Sequence, residues 1–211
     1  DFHTYTNDYQ VMLNDKSIEA IAIYTPDHLH AKHIQLALEH DKHVICTKPF
    51  IDNLADANGL LELAAKRNKR VFVGQSSRFF EPVKKQREDF EAGLIGDLIT
   101  IEGYYHADHR WFLEKPWSLQ SAFKWLYGGL SHPVDFIRWY LPHIEEVMGY
   151  GMLSANGKKG GLQNADTMHF IFKAEDGRVA RESGAYTGPV QPVTRDSEMS
   201  WILRGTEGAS Q

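Results

Sequence analysis

Three short apolar runs constrain this chain most. Each is closed by a turn residue, and each is separated from the next by a segment of helix length. They read "IEAIAIYTP" (18–26), "HVICT" (43–47) and "RVFVGQS" (70–76). The first intervening segment, "HLHAKHIQLALEHD", carries Leu29, His33, Leu36 and Leu38 among alanines, with Asp27 before it as the expected N-cap. The second, "DNLADANGLLELAAKRNK", presents Leu54, Leu60, Leu61, Leu63 and Ala64 as an apolar face. Strands alternating with helices of this length predict right-handed crossovers and a parallel sheet covered on both faces.

The pattern changes after residue 77. "EPVKKQREDFEAGLIG" (81–96) reads as a helix and "DLITIEGYYHA" (97–107) as a longer strand. "PWSLQSAFKWLYGG" (116–129) reads as an irregular segment around one or two turns. "LSHPVDFIRWYL" (130–141) reads as a helix with Pro133 tolerated in its first turn. Four strand-like runs follow: "IEEVMGYGML", "TMHFIFKA", "RVARESGAYT" and "EMSWILRG", with "AEDGR" as a hairpin signal between the middle two. The predicted fold class is α/β plus α+β. Residues 1–77 would be the later part of a doubly wound parallel domain, and residues 78–211 a domain with an open antiparallel sheet that stops short.

A net charge of -5 argues against nucleic acid or an anionic membrane surface as the main partner. No apolar run approaches the ~18 residues that a membrane span requires. The single cysteine, Cys46, excludes an internal disulfide and fits a reducing, cytoplasmic setting. Residue 1 is Asp and no signal-peptide pattern follows, so an upstream segment is expected.

Open parallel sheets bind ligands outside the carboxyl ends of their strands. Thr25-Pro26, Thr47-Lys48-Pro49 and Gln75 to Arg78 all fall there. The Lys48-Pro49 step ends its strand, because proline removes a donor and restricts the residue before it. An ammonium group is thereby delivered to the rim.

The string "YTPDHLHAKHIQLALEHDKHVICTKPF" resembles the family of glucose–fructose oxidoreductase, inositol dehydrogenase and rhizopine catabolism proteins (Gfo/Idh/MocA). That family carries a T-P-x-x-x-H loop, a helix ending A-L-x-x-G-K-H-V, and a strand running into E-K-P. "GQSSRF", "YGGLSHPVDFIRWYL" and "LRGTEGA" resemble later family segments in the expected order. The resemblance implies a Rossmann domain for NAD or NADP and a C-terminal sheet that joins copies into a homo-oligomer. It implies reversible oxidation of a sugar, cyclitol or related polyol. Lys48 and His132 would be catalytic. Thr25, Pro26, His30, Thr47, Lys48 and Gln75 would line the cofactor. Arg78, Trp111, Trp125 and Asp135 would meet substrate, and Trp117 would add an aromatic face beside the other two.

Three departures qualify that reading. No G-x-G-x-x-G precedes the first strand, and Gly149-Tyr150-Gly151 lies in a strand-rich stretch, so the first βαβ unit is expected upstream. Thr47 stands where the family has glutamate. Gly128 stands four residues before His132, where the family has aspartate, with Asp135, Tyr127 or His109 as possible substitutes. The changed site keeps two alternatives open: NAD-assisted glycoside cleavage or elimination, and a non-catalytic sensor or assembly subunit. Glu114-Lys115-Pro116 spells E-K-P but follows no parallel strand, so it is read as a loop. His28, His30 and His33 lack the companions of a zinc shell, so no metal is expected. Cys46 reads as a small buried hydrophobe.

Overall fold

The computed structural model describes residues 6–115, 123–190 and 196–211. The chain divides into two compact units, Asp1–Gly74 and Gln75–Gln211.

In the first unit, β1 (Ala20–Ile23), β2 (His43–Thr47) and β3 (Val71–Gly74) form a parallel sheet in that order. The helix α2 (His30–Glu39) joins the first pair and α3 (Ala55–Lys66) the second. Buried positions 30, 34, 37 and 38 of α2 form one stripe at helical spacing. That stripe meets Ile21, Ile23, Val44 and Cys46 from the sheet in one core. Both helices end on a residue in the left-handed region, Asp41 (φ 57°) and Asn68 (φ 51°), the turn that most often stops a helix.

Two expectations need correction here, and one helix is added. The helix begins at His30 after a 3-10 turn at Asp27–Leu29, so Asp27 is not its N-cap; Leu29 holds that place without a side-chain bond. Coverage of the sheet is one-sided among the described residues: Ile45 is 42% and Phe72 54% exposed. A further helix, α1 (Tyr9–Asn14), was not signalled by periodicity; it buries Leu13, and the Tyr9 hydroxyl donates to the His33 carbonyl at 3.1 Å.

In the second unit, α4 (Glu81–Glu91) is followed by β4 (Leu98–Ala107), then by the short α5 (Trp125–Gly128) and α6 (Ser131–Tyr140). The remaining strands are β5 (Ile144–Met152), β6 (Thr167–Ala174), β7 (Val179–Ala185), β8 (Ser197–Gly205) and β9 (Ala209–Ser210), with the short α7 (Ala155–Lys159) between β5 and β6. They form a six-stranded sheet in the order β5-β6-β7-β4-β8-β9. The sheet is mixed rather than wholly antiparallel, because β4 and β7 pair in parallel at its centre. Ile101, Ala180 and Leu203 of the sheet pack with Phe136, Ile137 and Tyr140 of α6. The helix comes close at Gly103, where a Cβ would lie 2.8 Å from the Pro133 Cβ. The predicted AEDGR hairpin forms, with Gly177 at φ 87° and its N–H donating to the Ala174 carbonyl.

Candidate functional site

Each unit holds its own cluster of expected site residues. In the first, Thr25 and Pro26 follow β1, and Lys48 and Pro49 follow β2, all at the carboxyl edge of the parallel sheet. The Lys48–Pro49 bond is cis. His30 is fully buried and ties these loops together. Its Nδ1 lies 2.7 Å from the Pro49 carbonyl oxygen and its Nε2 2.8 Å from that of Thr25. The position marked by the T-P-x-x-x-H pattern thus acts here through backbone contacts that hold the rim in shape. The Thr25 hydroxyl lies 3.3 Å from Nδ1 of His33.

Burial depresses the pKa of the Lys48 ammonium, and the charge of Asp27 opposes that effect. Burial raises the Asp27 carboxyl in turn, against the charges of His30 and Lys48. Asp27 is therefore the electrostatic counterpart of Lys48 on this rim, a role that its expected place as a helix cap did not signal. Cys46, beneath the rim, has its thiol pushed up to about 12 by burial and by Asp27, which makes it a poor nucleophile.

In the second unit, His132 sits in the first turn of α6 and is buried. Its Nδ1 lies 3.0 Å from the hydroxyl oxygen of Ser77, which is buried too. Ser77 belongs to a 3-10 turn at Ser76–Phe79. The sequence placed it at the rim only as part of the Gln75–Arg78 stretch, with no role of its own, since a serine in a loop carries no periodic signal. The next residue, Arg78, donates from Nε and Nη2 to the two carboxylate oxygens of Asp135 at 2.6 and 2.7 Å. The guanidinium also lies 4.9 Å from the centre of the Trp139 ring. These two expected substrate contacts thus hold each other. Gln75 has a buried Oε1 with no hydrogen-bond partner, an acceptor that suits an amide or hydroxyl of a ligand.

The tryptophans divide. Trp125 is 3% exposed and packs against Tyr105, Tyr186, Phe123 and His109 at ring distances of 4.7 to 6.4 Å. Trp111 is 49% exposed and stands 5.9 Å from His109. Trp117 lies outside the described residues. Gly128, where the family has aspartate, closes α5, and a Cβ on the following Gly129 would meet the Trp125 ring at 2.1 Å. Of the proposed substitutes for that aspartate, Asp135 is held by Arg78, His109 sits among aromatic rings, and Tyr127 lies under the Lys124 ammonium at 5.7 Å. Glu114 ends a 3-10 turn, and the Lys115 ammonium lies over Trp111, so the E-K-P letters there are no strand-end motif. Gly149 and Gly151 lie within strand β5. Among the described residues, no three or more His, Cys, Asp or Glu side chains are gathered as metal ligands, and no helix is long and apolar enough to cross a membrane.

Comparison with known proteins gives two family matches. Residues 1–75 match the oxidoreductase family domain described as an NAD-binding Rossmann fold, and residues 83–210 match the GFO/IDH/MocA C-terminal domain. A 1-carboxy-3-chloro-3,4-dihydroxycyclohexa-1,5-diene dehydrogenase of Comamonas testosteroni is 29% identical over 92% of this chain and 48% of its own length. Levoglucosan dehydrogenase of Pseudarthrobacter phenanthrenivorans is 25% identical over 99% of this chain and 52% of its own. A solved levoglucosan dehydrogenase in complex with NADH and levoglucosan superposes with a TM-score of 0.82 at 22% identity, covering 97% of this chain and 56% of that one. The chain spans about half the length of the curated relatives it matches. With both family domains matched in order across nearly the whole chain, the protein belongs to the Gfo/Idh/MocA family of oxidoreductases, whose N-terminal domain is an NAD-binding Rossmann fold.

Proposed function

We propose that this protein serves a dehydrogenase that oxidises a hydroxyl of a sugar, cyclitol or related polyol. The observation that carries this reading is the buried His132 in the first turn of α6, its Nδ1 3.0 Å from the Ser77 hydroxyl oxygen, an imidazole suited to proton transfer near neutrality. NAD, when bound, supplies the hydride acceptor. Thr25, Pro26, Thr47, Lys48 and Gln75, whose Oε1 is a buried acceptor without a partner, are the residues that would hold it. His30 would act by fixing the Thr25 and Pro49 loops. Lys48, its charge partly desolvated, orients the reacting hydroxyl and stabilises developing negative charge on its oxygen. His132 would take the hydroxyl proton as general base. Trp111, half exposed, would offer ring surface to the sugar, and Trp125 would support it from the aromatic core. The Arg78–Asp135 pair would border the substrate while holding the Ser77 turn against α6.

Two further proposals concern setting. The open face of the six-stranded sheet exposes Met148, Tyr150 and Ile171, an apolar area suited to a second copy of the same sheet. Light scattering would then show a dimer or larger assembly, and a monomer at all concentrations would contradict it. The buried, unpaired Cys46 suits the reducing cytoplasm.

The test is a titration of NADH and NADPH, read by energy transfer from tryptophan, followed by assays with levoglucosan and inositols. Saturable binding and cofactor reduction that Lys48→Ala abolishes would support the reading. Turnover unaffected by both Lys48→Ala and His132→Gln would sink it.

A further inference from the structure

We infer that His30 is a positioning residue held as an imidazolium, a charged clasp between the two rim loops that carry Thr25 and Lys48, with Asp27 as its counterion. The inference deepens the proposed role of His30 in fixing those loops, but the state of its ring does not depend on which reaction the protein serves. His30 opens α2, and it is fully buried. Its Nδ1 lies 2.7 Å from the Pro49 carbonyl oxygen and its Nε2 2.8 Å from that of Thr25. A carbonyl oxygen only accepts, so each contact needs an N–H on the ring side. A neutral imidazole bears one N–H and would aim a lone pair at the other oxygen. The imidazolium alone donates to both. The lengths agree with this, since charged donors make bonds shorter than the usual ~2.9–3.0 Å.

A buried cation needs compensation. Burial opposes the charge, and so does the amino end of α2, where the helix dipole disfavours a positive group. The two carbonyls answer the first and Asp27 the second, from the 3-10 turn directly before the helix. The charge on His30 in turn favours the ionised form of Asp27. Lys48, Asp52 and Cys46 are the other titratable groups that sense Asp27. On the helix itself, burial, Lys32 and the His30 charge together lower the pKa of His33. The clasp bears on the site through the backbone. Pro49 follows Lys48, so the bond to its carbonyl fixes the chain next to the ammonium, while the bond to Thr25 fixes the loop after β1. A ring with one proton gone leaves one of these loops without its donor.

The experiment is a long-range proton–nitrogen spectrum, at pH 7, of the full protein labelled with ¹⁵N-histidine. His30 is assigned by its loss in His30→Gln or, should that variant not fold, by through-space contacts of its ring protons with Pro49. The expected ring has both nitrogens protonated, and Asp27→Asn should move it toward a single N–H. The glutamine of His30→Gln donates from one amide nitrogen and carries no charge. Amide exchange in residues 25–30 and 47–52 should therefore quicken by roughly 10- to 100-fold, as for one lost bond from a charged donor. Asp27→Asn should quicken the same amides by a smaller factor. One N–H on the unaltered ring overturns the inference. An unchanged ring pattern in Asp27→Asn overturns the counterion, and exchange indifferent to the lost ring proton overturns the clasp. NADH binding and polyol oxidation are scored separately. Their absence beside a doubly protonated His30 would sink the dehydrogenase reading and leave this one standing.

Discussion

Glu182 of β7 lies in register with Gly103 of β4, and both of its carboxyl oxygens are buried without a hydrogen-bond partner. Trp201 of β8 pairs with the same glycine from the other side, and its indole N–H is also buried and unpartnered. A charge at Glu182 would be uncompensated, so burial pushes its pKa up from 4.5 to about 8. The folded protein keeps this proton where the unfolded chain has lost it. Stability therefore falls as pH rises from 4.5 toward about 8, and no further above that.

Glu182→Gln removes that slope. At one pKa unit per ~1.4 kcal/mol, the gain over the native residue should reach roughly 3 kcal/mol at neutral pH and vanish near the ordinary carboxyl range. Denaturant melts from pH 5 to pH 8 check it. A difference that does not grow across that interval contradicts the burial argument.

Asp41 holds a left-handed conformation at the end of α2, where the family pattern has glycine. Asp41→Gly should stabilise the fold by about 0.5–1 kcal/mol, the relief of a Cβ from that conformation less the added freedom of the unfolded chain. The substitution also removes an ion pair with Arg67, but at 3.5 Å between exposed groups that pair contributes little. The urea midpoint should rise with an unchanged slope.

Breaking the Arg78–Asp135 pair separates its structural role from any contact with substrate. Asp135→Asn and Arg78→Lys, with the double variant, should show a coupling of about 1 kcal/mol, limited because the arginine side chain is 38% exposed. KM for the polyol should rise in Arg78→Lys if the guanidinium also meets substrate. A coupling near zero would mean that the pair does not anchor the Ser77 turn.

Gly129 is needed for space and not for backbone conformation, since its φ is -119°. Gly129→Ala would drive a methyl group into the Trp125 ring, 2.1 to 2.3 Å away. The cost should be about 1–3 kcal/mol, as for other overpacked cores, with a shift in tryptophan emission. Gly177→Ala, at a hairpin with open space around it but φ 87°, should cost a similar amount without that shift.

The strands, the larger helices and the delivery of Lys48 to the rim were legible from the sequence, because each rests on local chemistry. A short apolar run rich in β-branched residues makes "HVICT" a strand, and the following Lys-Pro step ends it where the structure does. Local reasoning also separated the glycines of β5 from a phosphate loop and the Glu114-Lys115 letters from a strand end. Other features depended on which distant segments meet. Parallel pairing of β4 with β7, 79 positions apart at Thr100 and Val179, leaves no periodic trace. His30, expected at the cofactor, has its ring nitrogens beside two backbone carbonyls, partners that a residue pattern does not display. Trp125 looked like a sugar platform and is packed among other rings. Ser77 gained its place from His132, 55 residues away. Periodicity records which side of an element is apolar, whereas tautomers, ion pairs and buried charges depend on the neighbours that tertiary packing supplies.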